Sequence, residues 1–171
     1  GESQWMTAGS GILHQEMPKA SDRMQGFQLW LNLPKEDKMT QPAYLSITRK
    51  MIPHVVTEQA EIAVLSGRYA GAEGVTPRHI PATLLDVKLA QGKETNIETM
   101  AGETAFVFTL EGSAIFAGQP IPEKTAVLFS DGEVINVAAQ ATSGVRFMVF
   151  TGKQLREPVA WGGPIVMNTQ D

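Results

Sequence analysis

Phe27, Leu29, Leu31 and Leu33 alternate with Gln28, Trp30 and Asn32 and stop at Pro34. A period of two is what a half-buried β-strand requires, so this run predicts a strand. A further apolar run covers 43–48, and eight more lie beyond residue 60, at 62–66, 83–89, 95–100, 105–110, 113–117, 125–130, 133–138 and 145–151. Gln91-Gly92, Ala101-Gly102, Glu111-Gly112, Asp131-Gly132 and Ser143-Gly144 punctuate them as turns. Short strands at this spacing predict an all-β protein, a jelly-roll β-sandwich, and no stretch carries an amphipathic helical period. Residues 34–38 read as a solvated loop, 49–59 (with Pro53) as a linker, and 155–171 as an extended tail punctuated by proline and glycine.

The strands divide unequally. Residues 1–50 hold three or four, too few to close a sandwich, whereas 51–171 hold enough for one complete domain. An incomplete sheet leaves open edges and an uncovered apolar face. The chain also lacks a first methionine and opens in what reads as a turn, so it is expected to be a fragment. The alternative is that the early strands extend one larger sandwich.

Composition narrows the function classes. A length of 171 residues can bury one good core or two small ones. A net charge of −4, scattered rather than blocked, gives no basic stripe for phosphates, which argues against direct nucleic-acid or membrane-surface binding. The absence of cysteine excludes disulfides, thiolate metal sites and cysteine nucleophiles, and fits the expected cytoplasmic location. No apolar run reaches the ~20 residues of a membrane-spanning helix, and no signal-peptide pattern is present.

The candidate chemistry lies near the start. In Gln4-Trp5-Met6-Thr7-Ala8-Gly9-Ser10-Gly11-Ile12-Leu13-His14-Gln15-Glu16-Met17-Pro18, a glycine-rich turn precedes a histidine and a carboxylate two residues apart. On a strand, His14 and Glu16 would share a face roughly 7 Å apart and could converge on one metal ion. Imidazole and carboxylate suit Fe, Mn, Ni, Co or Zn and do not choose among them. The plainer reading makes Glu16 a strand-face carboxylate. The other histidines, His54 and His79, lie near prolines and read as surface residues.

Three separated stretches, in order, resemble the pirin family. They are residues 4–18, residues 26–34 continuing into Lys35-Glu36-Asp37-Lys38-Met39, and the tail Leu155-Arg156-Glu157-Pro158-Val159 through Gly163-Pro164-Ile165-Val166-Met167-Asn168-Thr169. The resemblance implies a bicupin of two jelly-roll domains, the first holding one iron through three histidines and a glutamate. In that family a His-Pro-His motif supplies two ligands and a His-x-Glu before Met-Pro supplies the others. His14 and Glu16 match the second motif, and the first does not occur in this chain. Residues 1–50 would then be the C-terminal part of the metal-bearing cupin, and 51–171 a metal-free cupin plus tail.

The second cupin offers a check on this. Six residues after Gly92, the family's His-x-His positions read Glu98-Thr99-Met100, its glutamate falls near Glu103 or Thr104, and its closing glycine is Gly112. The frame persists without histidines. A lone site at Glu98 and Glu103 is the less favoured reading beside two solvated carboxylates.

The resemblance implies one divalent metal, iron first, with Mn, Ni, Co and Zn as alternatives. Two ligands alone would give a weak, water-coordinated site, so the metal is expected to be weakly held or absent in this chain by itself. The implied activity is a dioxygenase of the quercetin 2,3-dioxygenase type. Its partners would be a flavonol-like molecule and O2, and Glu16 would double as the general base for the flavonol hydroxyl. The alternative is a non-enzymatic iron-bearing regulator acting through protein contacts, and a third reading is a non-catalytic β-scaffold.

Overall fold

The computed structural model describes residues 2–76 and 78–170. The strands, in chain order, are β1 (Ser3–Thr7), β2 (Ala43–Ile47), β3 (His54–Val56), β4 (Ala60–Ser66), β5 (Arg68–Tyr69), β6 (Ala72–Glu73), β7 (Ala82–Leu89) and β8 (Glu94–Glu98). They continue with β9 (Glu103–Glu111), β10 (Ala114–Phe116), β11 (Gln119–Ile121), β12 (Ala126–Leu128), β13 (Val134–Ala139), β14 (Val145–Lys153), β15 (Ala160–Gly162) and β16 (Ile165–Met167). The helical content of the described residues is two short 3-10 turns, Lys35–Asp37 and Arg49–Met51. Among the described residues no helix is long and apolar enough to cross a membrane. The chain forms two compact units, one of residues 47–154 and one of residues 4–46 with the tail from Leu155 onward.

The larger unit is the expected sandwich. A six-stranded antiparallel sheet, ordered β12-β9-β14-β7-β4-β3, faces a four-stranded sheet ordered β11-β10-β13-β8. One apolar cluster draws on both: Ile62 and Val64 of β4, Leu85 and Val87 of β7, Val107 of β9 and Phe147 and Val149 of β14 meet Ile97, Phe116, Ile135 and Val137 of the smaller sheet. Alternation in β4 sends Ala60, Ile62, Val64 and Ser66 inward and leaves the intervening residues half-buried, the signature of a strand with one core face. The central strand β14 departs from it, because Met148 and Phe150 on its other face are buried too. Phe150 stacks on Phe106 there, with ring centroids 4.5 Å apart.

Among the described residues, no buried side-chain nitrogen or oxygen lacks a hydrogen-bond partner. Thr109 Oγ1 donates to the carbonyls of Pro122 at 2.7 Å and Thr125 at 3.2 Å, and accepts the Thr125 N–H at 2.9 Å. Ser66 Oγ donates to the Ala82 carbonyl at 2.9 Å. At the β9–β10 turn, Gly112 has φ +74°, and a Cβ there would run into the Gly144 carbonyl oxygen. Gly112→Ala would meet left-handed strain and a backbone clash together, so it is expected to cost about 1–3 kcal/mol. Urea unfolding checks this, and an unchanged midpoint would show that the turn relaxes freely.

Several local expectations change. Residues 20–34 form no strand, although 27–33 alternate; Leu29, Leu31 and Leu33 are half-buried while Phe27 is exposed. Alternation supplies a face, but a strand also needs a hydrogen-bonded neighbour, and no described strand pairs with this run. The expected linker at 49–59 instead holds a 3-10 turn and the edge strand β3, whose His54, Val55 and Val56 pair with Ala63, Ile62 and Glu61. The chain enters on β1, which pairs with β2, rather than on a turn. The tail folds into a hairpin, with Trp161 opposite Val166 and Gly162 opposite Ile165.

Candidate metal centre

The approach to His14 is built by glycine. Gly9 is left-handed at φ +51° and lies so close to the Thr40 carbonyl that a Cβ would collide with it. The neighbouring Ser10 N–H donates to that same carbonyl at 2.9 Å, and the Gly11 N–H closes the turn on the Ala8 carbonyl at 3.0 Å. Only glycine fits at position 9, because a side chain there would meet both the φ penalty and backbone.

Beyond this turn, residues 11–20 run without secondary structure, and His14 and Glu16 are both exposed. The strand alternation that would put them on one face is therefore not what orders them. Both are accessible, and a nitrogen and an oxygen donor suit a first-row divalent metal, so the pair fits as two ligands of such a site. Among the described residues, no group of three or more His, Cys, Asp or Glu side chains comes together to hold an ion. The remaining donors would have to come from elsewhere.

The other sequence candidates belong to the larger unit. His54 on β3 meets Glu61 of β4, Nδ1 to Oε1 at 3.1 Å, while Lys88 Nζ donates to Glu61 Oε2 at 3.3 Å. The hydrogen bond and charge of Lys88, with a smaller contribution from His54, hold the Glu61 carboxyl below its usual range against a small desolvation penalty. His79 is half-buried and engaged by a partner. Glu98 ends β8 opposite Val134, and Glu103 begins β9 opposite Lys153. Burial, and after it the charge on Glu98, push the Tyr69 hydroxyl above its ordinary range.

Sequence reasoning passed over a cluster in the smaller unit. Lys38 is buried at 6% exposure, and its ammonium donates to Asn32 Oδ1 at 2.7 Å. Glu157, in what the sequence predicts as an extended tail, accepts the Lys35 backbone N–H at 2.9 Å and the Asn168 side-chain amide at 3.2 Å. Trp30 and Trp161 meet edge to face at 6.3 Å. The motifs holding these residues were visible, but nothing local said that they touch.

Comparisons with known proteins bear on this segment directly. A model of the pirin C-terminal cupin domain matches residues 84–171, and a pirin model matches residues 1–31, which include His14 and Glu16. Rattus norvegicus pirin is 37% identical over 176 residues, covering all of this chain and 60% of the rat protein. The chain thus spans about 60% of the length of that curated relative. A crystal structure of a quercetin 2,3-dioxygenase from Acinetobacter baumannii superposes with a TM-score of 0.86 at 32% identity, over 99% of this chain and 62% of that one. A Geobacillus kaustophilus structure gives a TM-score of 0.81 at 33% identity, over 93% and 66%.

Proposed function

Because this chain belongs to the pirin family, we propose that the natural protein containing it is a metal-dependent dioxygenase of the quercetin 2,3-dioxygenase type. His14 and Glu16 are two of the ligands of its single divalent metal, taken to be iron. Residues 1–50 are the C-terminal part of the metal-bearing cupin, and 51–171 contribute a metal-free cupin plus the tail. The protein works in the cytoplasm on a flavonol-like substrate and O2. The observation that carries the reading is the position of His14-Gln15-Glu16 inside the stretch matched by the pirin model. The likeness to a structure named quercetin 2,3-dioxygenase supports the substrate class.

A bound divalent metal supplies Lewis acidity and, in the case of iron, one-electron redox capacity. The chain supplies an imidazole nitrogen at His14, which must be neutral to donate. The Glu16 carboxylate is an acceptor for the flavonol hydroxyl proton, within reach of solvent because the segment is exposed. Neither residue is tied into a sheet, and the glycine turn before them fixes where their segment starts.

The test is oxygen uptake with quercetin by the natural protein loaded in turn with Fe, Mn, Ni, Co or Zn. Metal-dependent consumption of quercetin and O2 in equal amounts is expected. Stoichiometric metal binding without turnover in any form would overturn the dioxygenase reading and leave a metal-bearing regulator.

A further inference from the structure

We propose that Glu157 is a positioning residue for the His14–Glu16 segment: it clasps the C-terminal hairpin to the loop that holds the glycine turn ahead of His14. This rests on reading His14 and Glu16 as metal ligands. The need for a clasp follows from residues 20–34, which have no strand pairing to fix the backbone leading into the 3-10 turn.

That turn begins at Lys35 behind Pro34, with no side chain of its own capping it. Its first N–H would otherwise be an orphan donor. Glu157 Oε2 accepts it at 2.9 Å, across 122 residues of chain. The same oxygen accepts Asn168 Nδ2 at 3.2 Å, and that amide also donates to the Pro158 carbonyl at 2.8 Å. One carboxylate oxygen therefore gathers both ends of the β15–β16 hairpin onto the turn. Arg156, just before it, is left-handed at φ +56°, a conformation uncommon for non-glycine residues. Trp161 of the same hairpin braces Trp30 at 6.3 Å.

The path continues toward the candidate ligands. The Thr40 N–H donates to the Asp37 carbonyl at 3.0 Å, and the Thr40 carbonyl accepts the Ser10 N–H at 2.9 Å. Gly9 packs against that carbonyl with no room for a side chain, and the Gly11 N–H returns to Ala8. His14 follows three residues later. The path runs by hydrogen bond from Glu157 to Lys35, along the backbone of the 3-10 turn to Asp37, and by hydrogen bonds to Thr40 and Ser10, and every member belongs to the same compact unit. Metal-ligand orientation is commonly set by such supporting contacts.

The experiment compares Glu157→Ala, Glu157→Gln and Lys35→Pro in the natural protein. Glutamine keeps an acceptor oxygen and should rescue, which separates the clasp from simple charge. Proline deletes the backbone donor together with the exposed lysine side chain, at a first-turn position where it is tolerated and behind a residue at ψ 152° that already suits it. Co(II) affinity by chelator competition and the Co(II) visible spectrum report ligand geometry, and amide exchange at Ser10 and Gly11 reports the turn. Glu157→Ala and Lys35→Pro are expected to weaken Co(II) binding by about 10-fold or more, alter its spectrum and speed exchange at Ser10, with Glu157→Gln close to the parent. Unchanged exchange at Ser10 in both disruptive variants would overturn the clasp. A parent protein that binds no metal would instead remove the ligand assignment, while the exchange data still decide whether Glu157 holds the turn.

Discussion

Phe147→Ala is expected to lower the unfolding free energy of the larger unit by about 3–5 kcal/mol. Phe147 sits on β14 in the six-stranded sheet at 0% exposure, opposite Val87 and Thr109 in the register of the two neighbouring strands. Its ring meets Phe116 of the four-stranded sheet nearly perpendicular, at 88° and 5.1 Å. The contact therefore joins the two layers, and truncation removes an aromatic pair worth about 0.5–1.5 kcal/mol as well as opening a cavity. Phe147→Leu keeps most of the volume and should cost under about 1.5 kcal/mol. Since domains have only about 5–15 kcal/mol in hand, the alanine variant gives up a large share. Urea unfolding should be followed by circular dichroism, because Trp5, Trp30 and Trp161 all lie in the smaller unit and their fluorescence reports that unit instead. A loss below about 1 kcal/mol would mean that the core collapses around the gap and that the two sheets do not depend on this ring.

The strands around Phe147 were legible because burial on one face leaves a period of two, and their turn glycines mark the ends. The runs at 62–66, 83–89, 105–110 and 145–151 sit inside β4, β7, β9 and β14, within a residue or two of their ends. The same signal misled at 27–33, where alternation records a half-buried face but says nothing of a hydrogen-bonded neighbour. It was silent for β3, β5 and β6, and for the tail hairpin, because two or three residues are too few to show a period. Gly112 was readable as a closing turn, and its positive φ and tight approach to Gly144 give the reason. Glu157 was not, since its partner Lys35 is 122 positions away and carboxylate-to-backbone contacts leave no mark in spacing. For His14 and Glu16 the sequence supplied the donor types, but the strand geometry that would have aligned them is not how the segment lies.

That difference shapes the second large effect. His14→Ala in the natural protein is expected to weaken metal binding by more than about 100-fold, because even lost supporting contacts commonly cost 10–100-fold and a lost ligand should cost more. Glu16→Gln keeps the size of the side chain and an oxygen but removes the charge, so a smaller loss of affinity should come with a larger loss of turnover if the carboxylate also takes the flavonol proton. His54→Ala is the matched control: its imidazole is engaged by Glu61 in the other compact unit, and metal content should not move. Elemental analysis after gel filtration reads all three. Full metal content in His14→Ala would take His14 out of the centre, whereas loss in His14→Ala and His54→Ala alike would point to nonspecific histidine binding. Because His14 stands on an exposed segment with no sheet to support, its removal should leave the urea midpoint of the metal-free protein unchanged. A fall in metal content with stability intact is thus the pattern that a ligand produces and a structural histidine does not.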